Sequence, residues 1–238
     1  MIRKVALVSG ILVLSLLVAL PAPTVSAKEL KDPEPYVANF SYTPETLLKP
    51  GSGGVTFATA NIVYQFPEKV FWPKFPQFAH LEKAIINDLT KILIAKGFSV
   101  RGPFDSYDLI PYSDKKVTDL YLTPTFEMLI VFKGDKTGAV CTGTVEVSGR
   151  LILEMKEMMT RELMWSKNIP LRKWEFPYNI KTPNVHPYDL KPFIMNDVAK
   201  GLEQEYPQLM STMEGIVDPE EMRVLKKQAQ ELKRKKSY

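Results

Sequence analysis

Residues 81–121, LEKAIINDLTKILIAKGFSVRGPFDSYDLIPYSDKKVTDLY, decide the fold that this sequence predicts. Apolar residues recur through 81–96 at spacings of three and four, which predicts a helix with one buried face. Gly97 stands where a left-handed residue ends a helix, and residues 98–101 alternate as a half-buried strand does. After an acidic loop, a second strand is expected from Leu120. A helix therefore leads directly into a sheet.

Alternating apolar and polar residues predict the strands of this sheet. Residues 120–132, 141–155 and 161–171 alternate in this way and are separated by short turns, which favours an antiparallel meander. Residues 55–66 predict a first strand with a bulge near their middle. Pro124 interrupts its strand, so we expect that strand at an edge of the sheet or at a bulge.

Prolines and helical spacing organise the rest of the chain. Pro177 and its neighbours predict that residues 172–191 are irregular. Residues 193–213 show helical spacing broken near Pro207, and Asp218 is the expected N-cap of a final basic helix. We therefore predict an α+β protein: an antiparallel, meander-type sheet of four to five long strands, packed against a central helix and C-terminal helices.

The 238 residues divide into four expected segments, with 45% hydrophobic and 24% charged residues overall. We expect a signal peptide at 1–27, an extended N-terminal arm and flexible link at 28–54, an α+β domain at 55–217 and the basic helix at 218–238.

The start of the chain predicts export. Arg3 and Lys4 precede the apolar run 5–20, and Val25-Ser26-Ala27 is a typical cleavage pattern. The run is shorter than the roughly 20 residues of a spanning helix, which favours a cleaved signal over an uncleaved anchor. We expect a periplasmic, outer-membrane or cell-surface protein that can associate peripherally with the outer membrane. Cys141 is the single cysteine, so no disulfide can form within the chain. No lipobox cysteine lies at the expected cleavage site.

No enzyme signature is present. The 31 basic and 27 acidic residues nearly balance, and this formal net charge of +4 does not predict nucleic-acid binding. His80 and His186 lack metal-ligand spacing. Cys141 and His186 could form a nucleophilic pair, but Cys141 occupies an apolar position of a strand, which favours a buried, inert thiol. We therefore expect a protein without catalytic residues or a cofactor.

Four aspartates in and after the acidic loop, Asp105, Asp108, Asp114 and Asp119, have two interpretations. Their oxygens could bind Ca²⁺ or Mg²⁺, although their spacing matches no EF-hand. The simpler interpretation is that they cap turns and helix starts, so no metal site is predicted.

Aromatic residues suggest a binding surface. Trp72 lies in one proline-rich stretch, and Trp174 and Tyr178 lie in another. Exposed rings of this kind stack on sugars or partner proteins, and Arg172 and Lys173 could hold the carboxylate of an acidic sugar. The alternative is that these rings fill gaps between the loops and the sheet.

Several motifs resemble the neuraminyllactose-binding haemagglutinin family of bacterial envelope and flagellar-sheath adhesin lipoproteins. They are Lys-Gly-Phe-Ser-Val at 96–100, Asp-Ser-Tyr-Asp-Leu-Ile at 105–110, Ser-Asp-Lys-Lys at 113–116, Asp-Leu-Tyr-Leu at 119–122 and the basic ending at 226–236. The resemblance implies an adhesin of the cell envelope that binds sialylated glycans.

The resemblance also implies which loop would bind the glycan. The family's short Lys/Arg-rich stretch corresponds to residues 133–138, where Lys133 and Lys136 are the two lysines present.

Two functions follow as hypotheses. The first is an exported, non-enzymatic adhesin-like protein whose partner is a host glycan. The second is a structural or assembly accessory of the envelope that binds a protein partner through Met222, Leu225 and Leu232 on the last helix. A hydrolase built on Cys141 is a third option.

Overall fold

The computed structural model describes residues 33–66, 72–137, 140–181 and 191–236. They belong to one compact unit that spans Lys31–Tyr238. The predicted leader, His186 and the side chain of Lys136 lie outside the described residues.

Six strands and four helices make up the described chain. The strands are β1 (Thr56–Ala60), β2 (Val63–Gln65), β3 (Ser99–Phe104), β4 (Leu120–Thr137), β5 (Val140–Glu157) and β6 (Leu163–Lys181). The helices are α1 (Leu81–Ala95), α2 (Tyr112–Val117), α3 (Lys191–Ile216) and α4 (Pro219–Lys235), and single 3₁₀ turns occupy Trp72–Lys74, Pro76–Phe78 and Tyr107–Leu109.

The strands form one mixed sheet in the order β3-β1-β4-β5-β6, and β2 also pairs with β4. β1 is parallel to β3 and β4, and β2 is parallel to β4, whereas β4, β5 and β6 are antiparallel. The predicted meander is therefore confirmed for β4 to β6, but the prediction of a purely antiparallel sheet is wrong. The reason is α1, which returns the chain along the sheet so that the strand after it runs parallel to the strand before it.

Pro124 lies in β4, a central strand, rather than at an edge. Residues 120–122 pair with β1 and residues 125–127 pair with β2, so Pro124 falls between the two short partners. The predicted first strand is split there into β1 and β2. A missing backbone N–H at this point interrupts no ladder on that side.

β6 continues well past the predicted end of its strand, through Pro170 and Pro177. Residues 172–181 are therefore not irregular. β6 has only β5 as a neighbour, and proline is tolerated on such an edge strand because one side of its backbone needs no ladder partner.

The main core lies between one face of the sheet and the helices. α1 and α3 place fully buried residues such as Leu89 and Met210 against alternate residues of β4 and β5. α3 continues through Pro207 because Tyr206 and Leu209 on either side of it are buried, so packing maintains the helix despite the lost hydrogen bond. The Asp218 carboxylate accepts a hydrogen bond from the Glu221 amide, as expected of an N-cap.

Residues 33–50 form no helix or strand, but this N-terminal arm packs along α3. Ala38 and Phe40 are buried, and the Phe40 ring lies 5.4 Å from that of Tyr206. The Gly51-Ser52-Gly53-Gly54 link is an ordered turn. Arg223 and Lys226 of α4 donate hydrogen bonds to its backbone carbonyls.

The opposite face of the sheet carries a small second core. Residues 105–117 cross this face, and their Ile110 is buried with Ala58, Tyr121 and Met158. The predicted acidic loop therefore contains α2 and a 3₁₀ turn, and it holds itself to the sheet through Ile110.

Candidate functional site

A groove of about 340 Å³ lies between the β6 edge of the sheet and α3. Trp174 of β6 lines it, together with residues from both elements: Glu175, Phe176, Pro177, Asp197, Lys200, Gly201, Gln204 and Glu205. The groove is therefore the place where one predicted site residue meets a set of polar side chains.

A bulge in β6 brings Trp174 to this groove. Leu171 pairs with Gly149 and Trp174 pairs with Val147, so β6 contains one more residue than β5 between the two pairs. The extra residue keeps Trp174 on the helix-bearing face, where the alternating Phe176 and Tyr178 also lie.

Gly201 allows the Trp174 indole to rest against α3. A Cβ at position 201 would lie 2.2 Å from the indole Nε1. That nitrogen is buried and has no hydrogen-bond acceptor among the described residues. The indole thus forms the floor of the groove through a close approach that only glycine permits.

The groove is predominantly acidic. Lys200 Nζ is 3.2 Å from the Asp197 carboxylate and 5.6 Å from the centroid of the Tyr36 ring. Glu175 and Glu205 add two further carboxylates, and Gln204 adds an amide. The lining therefore suits an uncharged or cationic polar ligand better than an anionic one.

The predicted cations Lys133 and Lys173 are not near this groove. Both pair with Glu146, at 2.6 Å and 2.8 Å, on the opposite face of the sheet, because Glu146 and the buried Val147 alternate along β5. Hydrogen bonds from Lys133 and Lys173 lower the pKa of the Glu146 carboxyl, and the same carboxylate raises the pKa of Lys133. These lysines are thus engaged with a protein carboxylate.

Arg172, Lys136 and Tyr178 are three further residues that the sequence predicts to bind a ligand. Arg172 is exposed and forms no ion pair among the described residues. Lys136 pairs with Cys141 in the β4–β5 ladder. Tyr178 is half-buried over Gly134, and burial raises the pKa of its hydroxyl.

Trp72 is a core residue with 1% of its surface exposed. The rings of Tyr64, Phe66, Phe78 and Phe126 lie 5.2–6.0 Å from it. The expectation of an exposed aromatic platform is therefore not met at Trp72, since the proline-rich stretch folds its ring inward. Here the gap-filling interpretation holds.

The three predicted partner-binding residues of α4 differ in exposure. Met222 and Leu225 are buried in the main core, so they are not available to a partner. Leu232 is half-buried and lines a second groove of about 350 Å³ with Leu163 and Met164 of β6. The apolar stripe of the last helix therefore docks mainly onto its own domain.

The basic residues of α4 are also largely used within the fold. Lys226 lies 3.1 Å from Asp119, and Lys236, directly after the helix, lies 3.0 Å from Glu162. Lys233 reaches the fully buried Glu157 at 3.5 Å and donates a hydrogen bond to the Thr118 carbonyl. These lysines attach the helix to the sheet.

The aspartates of the acidic loop act separately. Asp105 accepts a hydrogen bond from Asn61, Asp114 pairs with Arg101, and Asp119 accepts one from the Thr56 amide. In the described parts of the chain, no three metal-ligating side chains converge. Cys141 is buried, as its apolar position in the strand predicts.

Helical spacing could have revealed the α3 side of the groove. Asp197, Gly201 and Glu205 are four residues apart, as are Lys200 and Gln204, so all five share one polar stripe with a glycine at its centre. What the sequence does not indicate is that β6 would extend far enough to meet this stripe.

No protein-family model matches the chain. No curated protein matches it either. Its fold is similar to that of a neuraminyllactose-binding hemagglutinin homolog from Helicobacter pylori, with a TM-score of 0.58 and 17% identity over 82% of this chain and 99% of that chain. At this identity the similarity establishes a common fold.

Weaker similarities extend to two other bacterial structures. A DUF330 protein from Xanthomonas campestris has a TM-score of 0.34 and 13% identity over 77% of this chain and 93% of that one. A lipoprotein from Neisseria meningitidis has a TM-score of 0.24 and 12% identity over 61% and 96%.

Proposed function

We propose that this chain is an exported, non-enzymatic protein of the bacterial envelope that acts as an adhesin-like glycan-binding protein. The observation that carries the proposal is the groove between β6 and α3, where the Trp174 indole lies beside the Gln204 amide and several carboxylates. Protein sites for sugars combine an aromatic ring, which packs on an apolar sugar face, with polar groups that bind hydroxyls. The leader sequence and the fold shared with a hemagglutinin homolog support the same proposal.

The charge of the groove narrows the class of glycan. A sialic acid would place its carboxylate near Glu175 and Glu205, while Lys200 is already paired with Asp197. The negative charges of the ligand and of these side chains would repel each other and weaken binding. An uncharged sugar or an amino sugar would meet no such repulsion. The proposed ligand is therefore an uncharged or cationic glycan, and the sialylated ligand implied by the family resemblance is its competitor.

A glycan array probed with the exported protein tests the proposal. We expect binding to non-sialylated or amino-sugar probes, and a loss of about two- to tenfold for Gln204→Ala, the range expected when one hydrogen bond to an uncharged ligand is removed. Gln230→Ala is the matched control, since Gln230 is an exposed helical glutamine on α4. A flat array across every probe would contradict the proposal.

A second candidate function is an envelope accessory that binds a protein partner at the groove of Leu163 and Leu232. Leu163 is 53% exposed on β6, and Leu232 faces it from α4. A photocrosslinker at position 163 tests this candidate, with position 224 as the control because Val224 is exposed elsewhere on α4. We expect one specific protein adduct at 163 that Leu232→Ser removes; equal labelling from both positions would contradict this function.

A further inference from the structure

We propose that the segment 105–117 on the outer face of the sheet docks onto an anionic lipid surface. Three large apolar side chains of this one segment project into solvent: Leu109, Tyr112 and Val117 are 66%, 62% and 55% exposed. The neighbouring Ile110 is buried and anchors the segment to the sheet. The segment is thus attached to the sheet through Ile110 and exposes its other large apolar side chains to solvent.

Cations lie among these apolar residues. Lys116 Nζ is 4.7 Å from the centroid of the Tyr112 ring, and Lys115 Nζ is 4.0 Å from that of Tyr107. The Arg161 guanidinium lies over the Tyr107 ring as well, at 4.5 Å. An aromatic ring beside an ammonium group is the combination that sits at the boundary between lipid headgroups and acyl chains.

The carboxylates of the segment offset these cations only in part. Asp114 is paired with Arg101, whereas Asp105 and Asp108 are exposed and form no ion pair among the described residues. Asp105 accepts a hydrogen bond from the uncharged amide of Asn61, and Lys115, Lys116 and Arg161 outnumber the two unpaired carboxylates. The last turn of α4 adjoins the segment through the bond from Lys233 to the Thr118 carbonyl, and Arg234 and Lys235 on that turn are exposed. This end of the molecule therefore offers positive charge next to apolar side chains.

Anionic lipid matches both features. Phosphate-bearing headgroups attract clustered lysine and arginine, and each cation near such a surface strengthens binding several-fold. Exposed leucine, valine and tyrosine side chains gain from shallow burial among the acyl chains. A protein partner would instead be expected to cover a concave or extended apolar face, whereas these three residues stand on a short projecting segment.

Vesicle co-sedimentation of the exported protein tests the inference. We expect binding to phosphatidylcholine vesicles that contain phosphatidylglycerol, weaker binding to phosphatidylcholine alone, and a decrease with added salt. Lys115→Gln together with Lys116→Gln should lower the partition coefficient roughly thirtyfold. Leu109→Ser with Tyr112→Ser should lower it by about tenfold or more.

Leu47→Ser is the matched control, because Leu47 is 83% exposed but lies on the N-terminal arm. Leu47, Leu109, Tyr112 and Lys116 are exposed and Lys115 is half-buried, and circular dichroism melting should show nearly the same transition for each variant. Absence of vesicle binding by the unmodified protein would overturn the inference. So would binding that the segment variants and the control retain equally, or a photocrosslink from position 112 to an envelope protein without any vesicle binding.

Discussion

One residue, Gly201, and one bulge in a strand determine how the groove forms. Gly201 lets the Trp174 indole lie against α3, and the bulge after Leu171 aims that indole at the helix. Neither effect is a property of the aromatic residue itself. A glycine in a helix normally weakens it by about 0.5 to 1 kcal/mol relative to alanine, so its presence here is explained by the contact.

Alanine at this position should therefore behave differently from alanine elsewhere in α3. For Gly201→Ala we expect the gain in helix propensity to be outweighed by overlap with the indole, with a net loss of about 0 to 2 kcal/mol in the free energy of unfolding. Gly215→Ala is the control, since a Cβ there meets nothing within 4 Å, and it should stabilise the protein by about 0.5 to 1 kcal/mol. Urea unfolding measures both; equal stabilisation by the two variants would show that the indole does not rest on Gly201.

Glu214 holds the N-terminal arm through one carboxylate. It accepts hydrogen bonds from the Tyr42 hydroxyl at 2.7 Å, the Thr46 amide at 2.8 Å and the Glu45 amide at 3.1 Å. Burial alone would raise the pKa of this carboxyl, but the three hydrogen bonds outweigh burial and lower it. Burial and the bond to Glu214 raise the pKa of Tyr42 to about 12.

The lowered pKa of Glu214 predicts how arm docking depends on pH. A carboxyl with a lower pKa in the folded state stabilises the protein above its unfolded pKa of about 4.3, and this contribution is lost as the pH falls through the folded value. Glu214→Gln should cost about 1 to 3 kcal/mol at neutral pH, and the difference from the unmodified protein should shrink below about pH 4.

Urea unfolding at neutral and acidic pH measures this difference. Glu231→Gln is the control, because Glu231 is exposed on α4 and forms no hydrogen bond among the described residues. A difference between Glu214→Gln and the unmodified protein that stays constant down to about pH 3 would contradict the role given to the carboxylate.

Among the helices and strands, features that depend on neighbouring residues can be predicted from the sequence, whereas those that depend on the whole sheet cannot. α1, the meander and the N-cap at Asp218 follow from periodicity and capping within short windows. The parallel pairing of β1 was missed, although strand, helix and strand in succession already indicate a parallel crossover. β6 was predicted too short because Pro177 forbids a central strand but not an edge strand, and edge position is set by the whole sheet.

For the last helix, α4, the predicted role and the observed packing differ. Its apolar residues predict a helix that binds a protein partner, but Met222 is fully buried in the main core. Met222→Ala should therefore cost about 2 to 5 kcal/mol, whereas Val224→Ala on the same helix, with Val224 51% exposed, should cost less than about 0.5 kcal/mol. Thermal and urea unfolding distinguish the two; similar small effects would mean that α4 is not integral to the fold.

The candidate site was predictable only in part, because the contacts that assemble it join residues far apart in the sequence. Trp174 is identifiable because an aromatic residue in a proline-rich stretch is unusual, but its partners lie on α3 and come together with it only through tertiary packing. Lys173 is close to Trp174 in the sequence and Lys133 is implied by the family resemblance, but strand alternation places both on the other face beside Glu146.

For the whole molecule, fold and function have to be argued separately. The fold is shared with a hemagglutinin homolog at 17% identity, and one fold commonly supports several binding functions. No helix in the described part of the chain is both long and apolar enough to span a bilayer. The surfaces proposed for function are the acidic groove at Trp174, the groove of Leu163 and Leu232, and the apolar, basic segment on the opposite face of the sheet.

The most direct test of the central proposal is an NMR titration of the exported, ¹⁵N-labelled protein with an N-acetylglucosamine oligomer, a glucosamine oligomer and sialyllactose. We expect one or both of the first two to shift the Trp174 indole resonance and the amides of residues 197–205, and sialyllactose to leave them unchanged. An unperturbed indole with all three sugars would contradict the proposal, as would shifts confined to Lys133 and Lys173 on addition of sialyllactose.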